Sequence, residues 1–192
     1  MALNDGWRPC NSSPAYFSDG EGKGLVGNFG SVAMTRIASC QCRGFRVVVE
    51  AEPDTIAVCH CQICQRRTGV PLTCNAYFPK SKVRLEGEHR IYTRDCPEGR
   101  KLHNHFCPAC GSTVGWTLDL RPNQFGVAVG CFNDRNFPPP VASIWEEEMC
   151  AWTILPAGIQ HFPRAPTSSE HELSAFPRRR GGRVALPLAA MR

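Results

Sequence analysis

Between residues 36 and 163, short runs of β-branched and aromatic residues alternate with turn-forming residues. Runs of this kind, bounded by Gly, Pro or Asn, are typical of β-strands. We predict strands in these segments: FRVVVE (45–50), TCNAYF (73–78), KVRLEG (82–87), HRIYTR (89–94), STVGWTL (112–118) and FGVAVGCF (125–132). Their regular spacing predicts an all-β fold built from antiparallel sheets.

One segment, CQICQRRTG (61–69), has helical character instead. Gly69 is placed to end one or two helical turns, because glycine readily adopts the left-handed conformation that closes a helix. Outside the strand-rich region, residues 1–35 show no periodicity and are predicted to be a loosely ordered extension, and residues 164–192 a basic disordered tail. The change of composition at Met34 also raises the hypothesis that translation starts there.

Composition narrows the functional classes. A chain of 192 residues with 42% hydrophobic and 20% charged residues can fold as one domain, here predicted at 36–163, with tails. The net charge is +5, but its Lys and Arg residues form no single stripe, so we expect no nucleic-acid partner. The chain shows neither a secretory signal nor an apolar run long enough to span a membrane, so we expect a cytoplasmic protein without a membrane partner.

Twelve cysteines are the feature that most restricts function. In a reducing compartment, closely spaced cysteines favour metal binding over disulfide formation. Seven of the twelve form three clusters in the sequence: Cys40 with Cys42, Cys59 with Cys61 and Cys64, and Cys107 with Cys110. The last cluster, in FCPACGST, has the form of a zinc knuckle, a turn that directs two sulfurs at one metal ion.

A closed zinc site needs four ligands, so the knuckle at Cys107 and Cys110 needs a second pair. Cys61 and Cys64 can supply it, which leaves three clustered cysteines unused. Alternatively Cys40 and Cys42 supply it, and every clustered cysteine then has a role. Economy favours the second arrangement, which keeps Cys59, Cys61 and Cys64 together.

Three thiolates leave one zinc position for a substrate, as in catalytic zinc sites. The sequence alone does not exclude a second closed site in which His60 or another side chain is the fourth ligand. The spacing therefore leaves both an open and a closed second site as alternatives.

The segments SCQCRGFRV, CHCQICQRRTG, HFCPACGSTV and VGCFND together resemble the GFA family, named for glutathione-dependent formaldehyde-activating enzyme and shared with centromere protein V. The resemblance implies a β-tent fold of antiparallel sheets with two zinc ions per chain. It implies a structural zinc on Cys40, Cys42, Cys107 and Cys110. It also implies a catalytic zinc on Cys59, Cys61 and Cys64. Two departures are visible: Arg43 stands where the family motif usually has glycine, and Cys150 stands two residues before Trp152, where many members carry His.

The resemblance also implies a carbon–sulfur lyase that joins glutathione, or another small thiol, to formaldehyde or a related aldehyde. Arg66 and Arg67 are candidate partners for substrate carboxylates. His60, His103 and His105 are candidate proton carriers, although the two in KLHNHFC are ordinary strand positions on another reading. Glu146, Glu147 and Glu148 are interpreted as a solvated acidic edge.

A second hypothesis is a zinc-stabilised interaction module that binds a protein or nucleic-acid partner without catalysis. An exchangeable zinc ion distinguishes the enzyme from this module. The sequence leaves the oligomeric state open, with a homodimer as one alternative.

Overall fold

The computed structural model describes residues 35–96 and 99–165. The strands in this part of the chain are β1 (Arg36–Ser39), β2 (Arg46–Val49), β3 (Thr55–Cys59), β4 (Thr73–Pro79), β5 (Val83–Glu86), β6 (Arg90–Asp95), β7 (Lys101–Phe106), β8 (Thr113–Leu118), β9 (Arg121–Ala128), β10 (Ala142–Ile144) and β11 (Gln160–His161). A helix, α1 (Gln62–Thr68), follows β3, and short 3-10 turns lie at Lys80–Lys82, Val129–Phe132 and Glu146–Glu148. The predicted mostly-β fold with one short helix is confirmed.

The strands form two sheets. The smaller has the order β1-β2-β5, and the larger has the order β11-β10-β3-β4-β9-β8-β7-β6. All pairings are antiparallel except those of β10, which runs parallel to both β3 and β11. The parallel pairs arise because β10 reaches β3 after a long excursion through the rest of the sheet, not through a hairpin.

The core lies where the inner faces of the two sheets meet. Phe45, Val47 and Val49 of the small sheet and Phe78 and Val127 of the large sheet are essentially inaccessible to solvent and belong to one apolar cluster. Burial of such side chains stabilises the fold by about 1.5–3 kcal/mol each. Strand β4 alternates as its sequence requires, with Phe78 in this core and Tyr77 on the opposite face.

Helix α1 begins and ends as its sequence predicts. Gly69 closes it with φ of 72°, and its amide donates to the carbonyl of Gln65 at 2.7 Å. At the other end the Cys61 sulfur accepts a hydrogen bond from the Cys64 amide. The strand predicted at 125–132 is displaced: β9 spans Arg121–Ala128, and the following residues turn into the 3-10 segment. Strands β1, β3, β10 and β11 lie outside the predicted segments.

None of the helices in the described ranges has the length and apolar character that a membrane span requires. The predicted extension at 1–35, the Met34 start and the predicted tail at 164–192 lie outside the described residues except at their inner ends.

Candidate metal centres and the adjoining cavity

The first cysteine cluster joins the turn after β1 to the turn between β7 and β8. The sulfur atoms of Cys40, Cys42, Cys107 and Cys110 all lie within 4.8 Å of one another. Cys42 Sγ is 3.5 Å from Cys40 Sγ and 3.6 Å from Cys107 Sγ. Two sulfurs on a zinc tetrahedron with Zn–S of about 2.3 Å are about 3.8 Å apart. The four thiols therefore fit one zinc ion.

The residues around this cluster bury two of its cysteines and favour the thiolate form of another, Cys110. Cys40 and Cys107 are each 2% exposed and belong to the apolar core. The Phe45 amide donates to Cys40 Sγ at 3.2 Å. The hydroxyl and amide of Ser112 lower the pKa of Cys110 to about 5. A thiol with this pKa is a thiolate at neutral pH, which is the form that binds metal.

The second cluster lies at the amino end of α1. Cys59 ends β3, Cys61 caps the helix and Cys64 lies in its first turn. Their sulfurs are within 4.8 Å of one another, and no further His, Cys, Asp or Glu donor atom of the described residues joins them. This is the grouping that economy favours, and the alternative pairing of Cys61 and Cys64 with the knuckle does not occur.

The three thiols interact too strongly to ionise independently. Hydrogen bonds with Cys61 and Cys64, together with burial, raise the pKa of Cys59. Hydrogen bonds with Cys59 and Cys61, aided by the nearby Arg67 guanidinium, lower the pKa of Cys64. Ionisation of all three requires a cation among them, and a soft thiolate set of this kind suits zinc.

His60 does not complete this cluster. Its ring is fully buried, and Nε2 lies 3.1 Å from the Ser143 hydroxyl on β10. Burial lowers the pKa of His60, so the ring is neutral at physiological pH. His60 thus ties the loop between two cysteines to the neighbouring parallel strand.

The acidic run after β10 holds the same loop from the other side. The Gln62 amide, in the first turn of α1, donates to the Glu148 carboxylate. Gln65 Nε2 donates to the carbonyls of His60, at 2.6 Å, and of Glu148, at 3.1 Å. These bonds fix the helix start that positions Cys61 and Cys64.

The other two carboxylates of the run are also engaged. Glu147 accepts from Arg164 Nε at 2.8 Å, and Glu146 lies 2.7 Å from His161 Nδ1. Burial raises the pKa of Glu146, but hydrogen bonds from Ser143 and His161 outweigh burial and lower it overall. The three carboxylates thus lie at the surface, as interpreted, but folding also pairs each of them with a distant segment.

A cavity of about 160 Å³ opens beside Cys59, Cys61 and Cys64. Polar groups enter it from two strands: Asn75 and Tyr77 from β4, and Asn104 from β7. The Oδ1 atoms of both asparagines are buried without a hydrogen-bond donor. The cavity thus contains acceptors that a bound molecule with N–H or O–H groups would satisfy.

One phenol side chain, that of Tyr77, also lines this cavity. The Arg121 guanidinium lies over its ring, 5.2 Å from the centroid, and the Trp116 ring meets it edge-on at 6.2 Å. Burial raises the pKa of Tyr77 to about 12, so its hydroxyl keeps its proton at neutral pH. Nothing in the spacing of TCNAYF marked Asn75 or Tyr77 as functional, although their alternation with buried Phe78 placed them on one face.

The two predicted substrate arginines occupy different places. Arg67 lines the cavity with its guanidinium 5.0 Å from the centroid of the Trp116 ring, and its Nη1 is buried without an acceptor. Arg66 lies on the exposed side of α1 and donates to Gln62 at 3.2 Å. Of this pair, the structure brings only Arg67 to the thiols.

The histidines of β7 also lie away from the thiols. His103 and His105 line a separate cavity of about 310 Å³, whereas their neighbour Asn104 faces the thiol cavity. Successive side chains of a strand point to opposite faces, so Asn104 lies on one face of β7 and the two histidines lie on the other.

Comparison with known proteins assigns the chain to a family. A family model described as "Glutathione-dependent formaldehyde-activating enzyme", the GFA family, matches residues 35–148, more than half of the chain. The chain belongs to the GFA family. GFA proteins bind zinc and are associated with carbon–sulfur lyase activity. No curated protein matches the chain.

Among solved structures, the GFA chain is similar to a crystal structure of a Rhodobacter sphaeroides protein. The two are 20% identical, with a TM-score of 0.40, and the similarity covers 52% of this chain and 90% of the other. In this GFA member Arg43, one of the two departures noted in the sequence, has φ of 64°, a conformation that favours glycine.

Proposed function

We propose that this protein catalyses the reversible addition of a small thiol, in the first place glutathione, to formaldehyde or a related aldehyde. The observation that carries the proposal is the convergence of three thiols at the edge of a cavity that can receive part of a substrate. In this proposal Cys59, Cys61 and Cys64 hold a catalytic zinc ion, while Cys40, Cys42, Cys107 and Cys110 hold a structural one.

The two clusters differ in ways that support this division. Cys40 and Cys107 are buried in the core and the four-thiol set fills a zinc tetrahedron, as structural sites do. The three-thiol set adjoins a cavity and has fewer protein donors, as catalytic sites do. A zinc ion held by three cysteines would supply a Lewis acid that keeps a substrate thiol ionised at neutral pH.

The chain's own residues bind and orient the reactants. Arg67 offers an unpaired N–H donor beside Cys64, suited to an acidic group on one of the two reactants. The oxygens of Asn75 and Asn104 suit the amide N–H groups of a peptide-like thiol such as glutathione. Holding the thiol and the aldehyde in one cavity removes much of the entropic cost of their encounter.

The reaction is an addition that balances without a further reactant. The bond from sulfur to the carbonyl carbon forms, the C=O double bond becomes a single bond, and the proton of the thiol ends on oxygen. Tyr77 retains its proton at neutral pH and lines the cavity, so its hydroxyl is the candidate donor of a hydrogen bond to that oxygen. Nothing is oxidised or reduced.

Exchange spectroscopy tests the proposal, because this addition also proceeds without a catalyst. With ¹³C-formaldehyde and glutathione at equilibrium, the zinc-loaded protein should increase the rate of exchange between free and thiol-bound carbon without changing their populations. Cys61→Ser should abolish the increase, and Cys150→Ser, outside both clusters, should retain it.

Absence of any rate increase with glutathione or other small thiols would overturn the enzymatic proposal. Two zinc ions per chain that resist chelation equally would point instead to the interaction module.

A further inference from the structure

The walls of the thiol cavity are more apolar than a one-carbon aldehyde requires. Its polar groups are few, and the side chains that enclose it include Leu102, Trp116, Leu118, Leu120, Ile144 and Phe162. An apolar cavity of about 150 Å³ is large enough to hold benzene. A cavity of about 160 Å³ therefore has room for a ring or a branched chain beside the sulfurs.

The polar body of glutathione does not explain these walls. Peptide and carboxylate groups lose hydration without gaining partners when they are placed against leucine and tryptophan side chains. Formaldehyde does not explain them either, since it offers almost no apolar surface to bury. The walls suit an apolar group on the second reactant.

Apart from the three thiols, the charged side chains that line the cavity are all basic. Arg67, Arg94 and Arg121 line it, and no Asp or Glu among the described residues does. Arg121 donates to Gln124 and Arg94 to the Asp95 carbonyl. The Arg67 guanidinium lowers the pKa of the nearby Cys64, and its Nη1 is buried without an acceptor. A buried guanidinium N–H without an acceptor favours an anionic ligand.

We propose that the carbonyl substrate of this site carries an apolar ring or branched chain together with an acidic group, and that Arg67 binds the acidic group. This inference rests on the proposed function and narrows it to aldehydes larger than formaldehyde. The same addition applies: a carbon–sulfur bond forms, and the proton of the thiol passes to the carbonyl oxygen.

A series of aldehydes tests the substrate class. With glutathione and the zinc-loaded full chain, we expect kcat/KM for 4-carboxybenzaldehyde to exceed those for benzaldehyde and for formaldehyde by about tenfold or more. Leu120→Trp, which narrows the cavity at a half-exposed position, should reduce the ratio of the 4-carboxybenzaldehyde value to the formaldehyde value. Ile91→Trp, exposed on β6 and outside this cavity, should leave that ratio unchanged.

Calorimetry with an unreactive analogue tests binding apart from turnover. We expect 4-carboxybenzyl alcohol to bind about tenfold more tightly than benzyl alcohol. Arg67→Gln should remove the difference between the two, because it replaces the charged donor with a shorter, neutral polar side chain.

The outcomes separate this inference from the proposed function. If formaldehyde reacts but neither aromatic aldehyde reacts or binds, the inference is overturned while the function stands. If the carboxylated analogue binds through Arg67 but no aldehyde is turned over, the ligand class stands and the lyase function is overturned. Equal affinity for the two alcohols contradicts the role of Arg67.

Discussion

At the scale of single residues, Arg43 shows how a local departure from a family pattern becomes a backbone cost. The residue follows Cys42 in the turn of the four-thiol cluster, with φ of 64°, and its amide donates to the Cys40 carbonyl at 3.0 Å. Glycine adopts this conformation freely, whereas a residue with Cβ is strained in it. The turn keeps this shape with arginine through the Arg43–Cys40 hydrogen bond, between two cysteines of the four-thiol cluster.

We expect Arg43→Gly to stabilise the folded chain. The left-handed conformation costs arginine about 1–2 kcal/mol, which the substitution removes. Glycine has greater freedom in the unfolded chain, which lowers the free energy of unfolding by about 0.5–1 kcal/mol and so offsets part of that stabilisation. The thermal midpoint, followed by circular dichroism with zinc present, should rise by about 1–4 °C. Arg46→Gly, in the regular strand β2, should lower it. A midpoint that Arg43→Gly lowers, as Arg46→Gly does, would contradict strain at this turn.

Another single residue makes stability depend on pH. His105 is 7% exposed and its Nδ1 has no hydrogen-bond partner. Burial, followed by the neighbouring His89, His103 and Lys80, lowers the pKa of His105 to about 4 from 6.5. Above pH 6.5 the ring is neutral in both folded and unfolded chains. As the pH falls from about 6.5 to about 4, the unfolded chain binds a proton that the folded chain does not.

The free energy of unfolding should therefore fall over this pH range, by about 1–2 kcal/mol after allowance for water in the adjoining cavity. His105→Phe, which keeps the ring shape without titrating, should flatten this part of the pH profile in urea unfolding. Acid also releases zinc from the cysteines, so the informative quantity is the difference between the two proteins. Parallel profiles for both would show that His105 does not contribute.

At the scale of elements, the sequence predicts those whose signal is local. The segments TCNAYF and STVGWTL each contain an alternating pattern of buried and less buried positions, and the sequence of α1 includes the glycine that ends it. These three elements are therefore predicted correctly. Strand β10, only three residues long, exists because it pairs in parallel with β3, more than eighty residues earlier in the chain. No pattern within those three residues reveals such a partner.

The same distinction applies to the candidate site. The cysteine spacings are local and predict the three clusters, whereas the grouping of Cys40 and Cys42 with Cys107 and Cys110 depends on two turns that meet only in the folded chain. Tyr77, Asn104 and Trp116 meet only through pairing of the central strands, and Glu148 meets α1 only after β10 is in place. The contacts around the thiols therefore form only when the sheet is assembled, and no sequence motif predicts them.

These contacts suggest a test at the element scale. Glu148→Ala should loosen the start of α1 and increase loss of metal from Cys59, Cys61 and Cys64 to a chelator by about tenfold, as removal of outer contacts around a metal site typically does. Release can be followed by the absorbance of 4-(2-pyridylazo)resorcinol. Glu147→Ala, which removes only the exposed contact with Arg164, is the matched control. Equal release from both variants would exclude a specific role for Glu148.

At the scale of the whole molecule, the two cysteine clusters occupy different positions in the fold. The four-thiol cluster connects the small sheet, through the turn after β1, to the large sheet, through the turn after β7, and two of its sulfurs lie in the core. The three-thiol cluster lies within the large sheet and its attached helix. Loss of the first therefore uncouples the sheets, whereas loss of the second disturbs one local segment.

Cys107→Ser and Cys61→Ser should accordingly behave differently. Structural zinc contributes about 10–16 kcal/mol of binding free energy, which is comparable to the whole stability of a domain, about 5–15 kcal/mol. Cys107→Ser should lose the near-ultraviolet circular dichroism of a packed core. Cys61→Ser should keep that spectrum and a midpoint within about 5 °C of the parent protein, while its zinc content falls by one ion per chain. If Cys61→Ser unfolds as completely as Cys107→Ser, both zinc sites are structural, and the division on which the catalytic proposal depends is wrong.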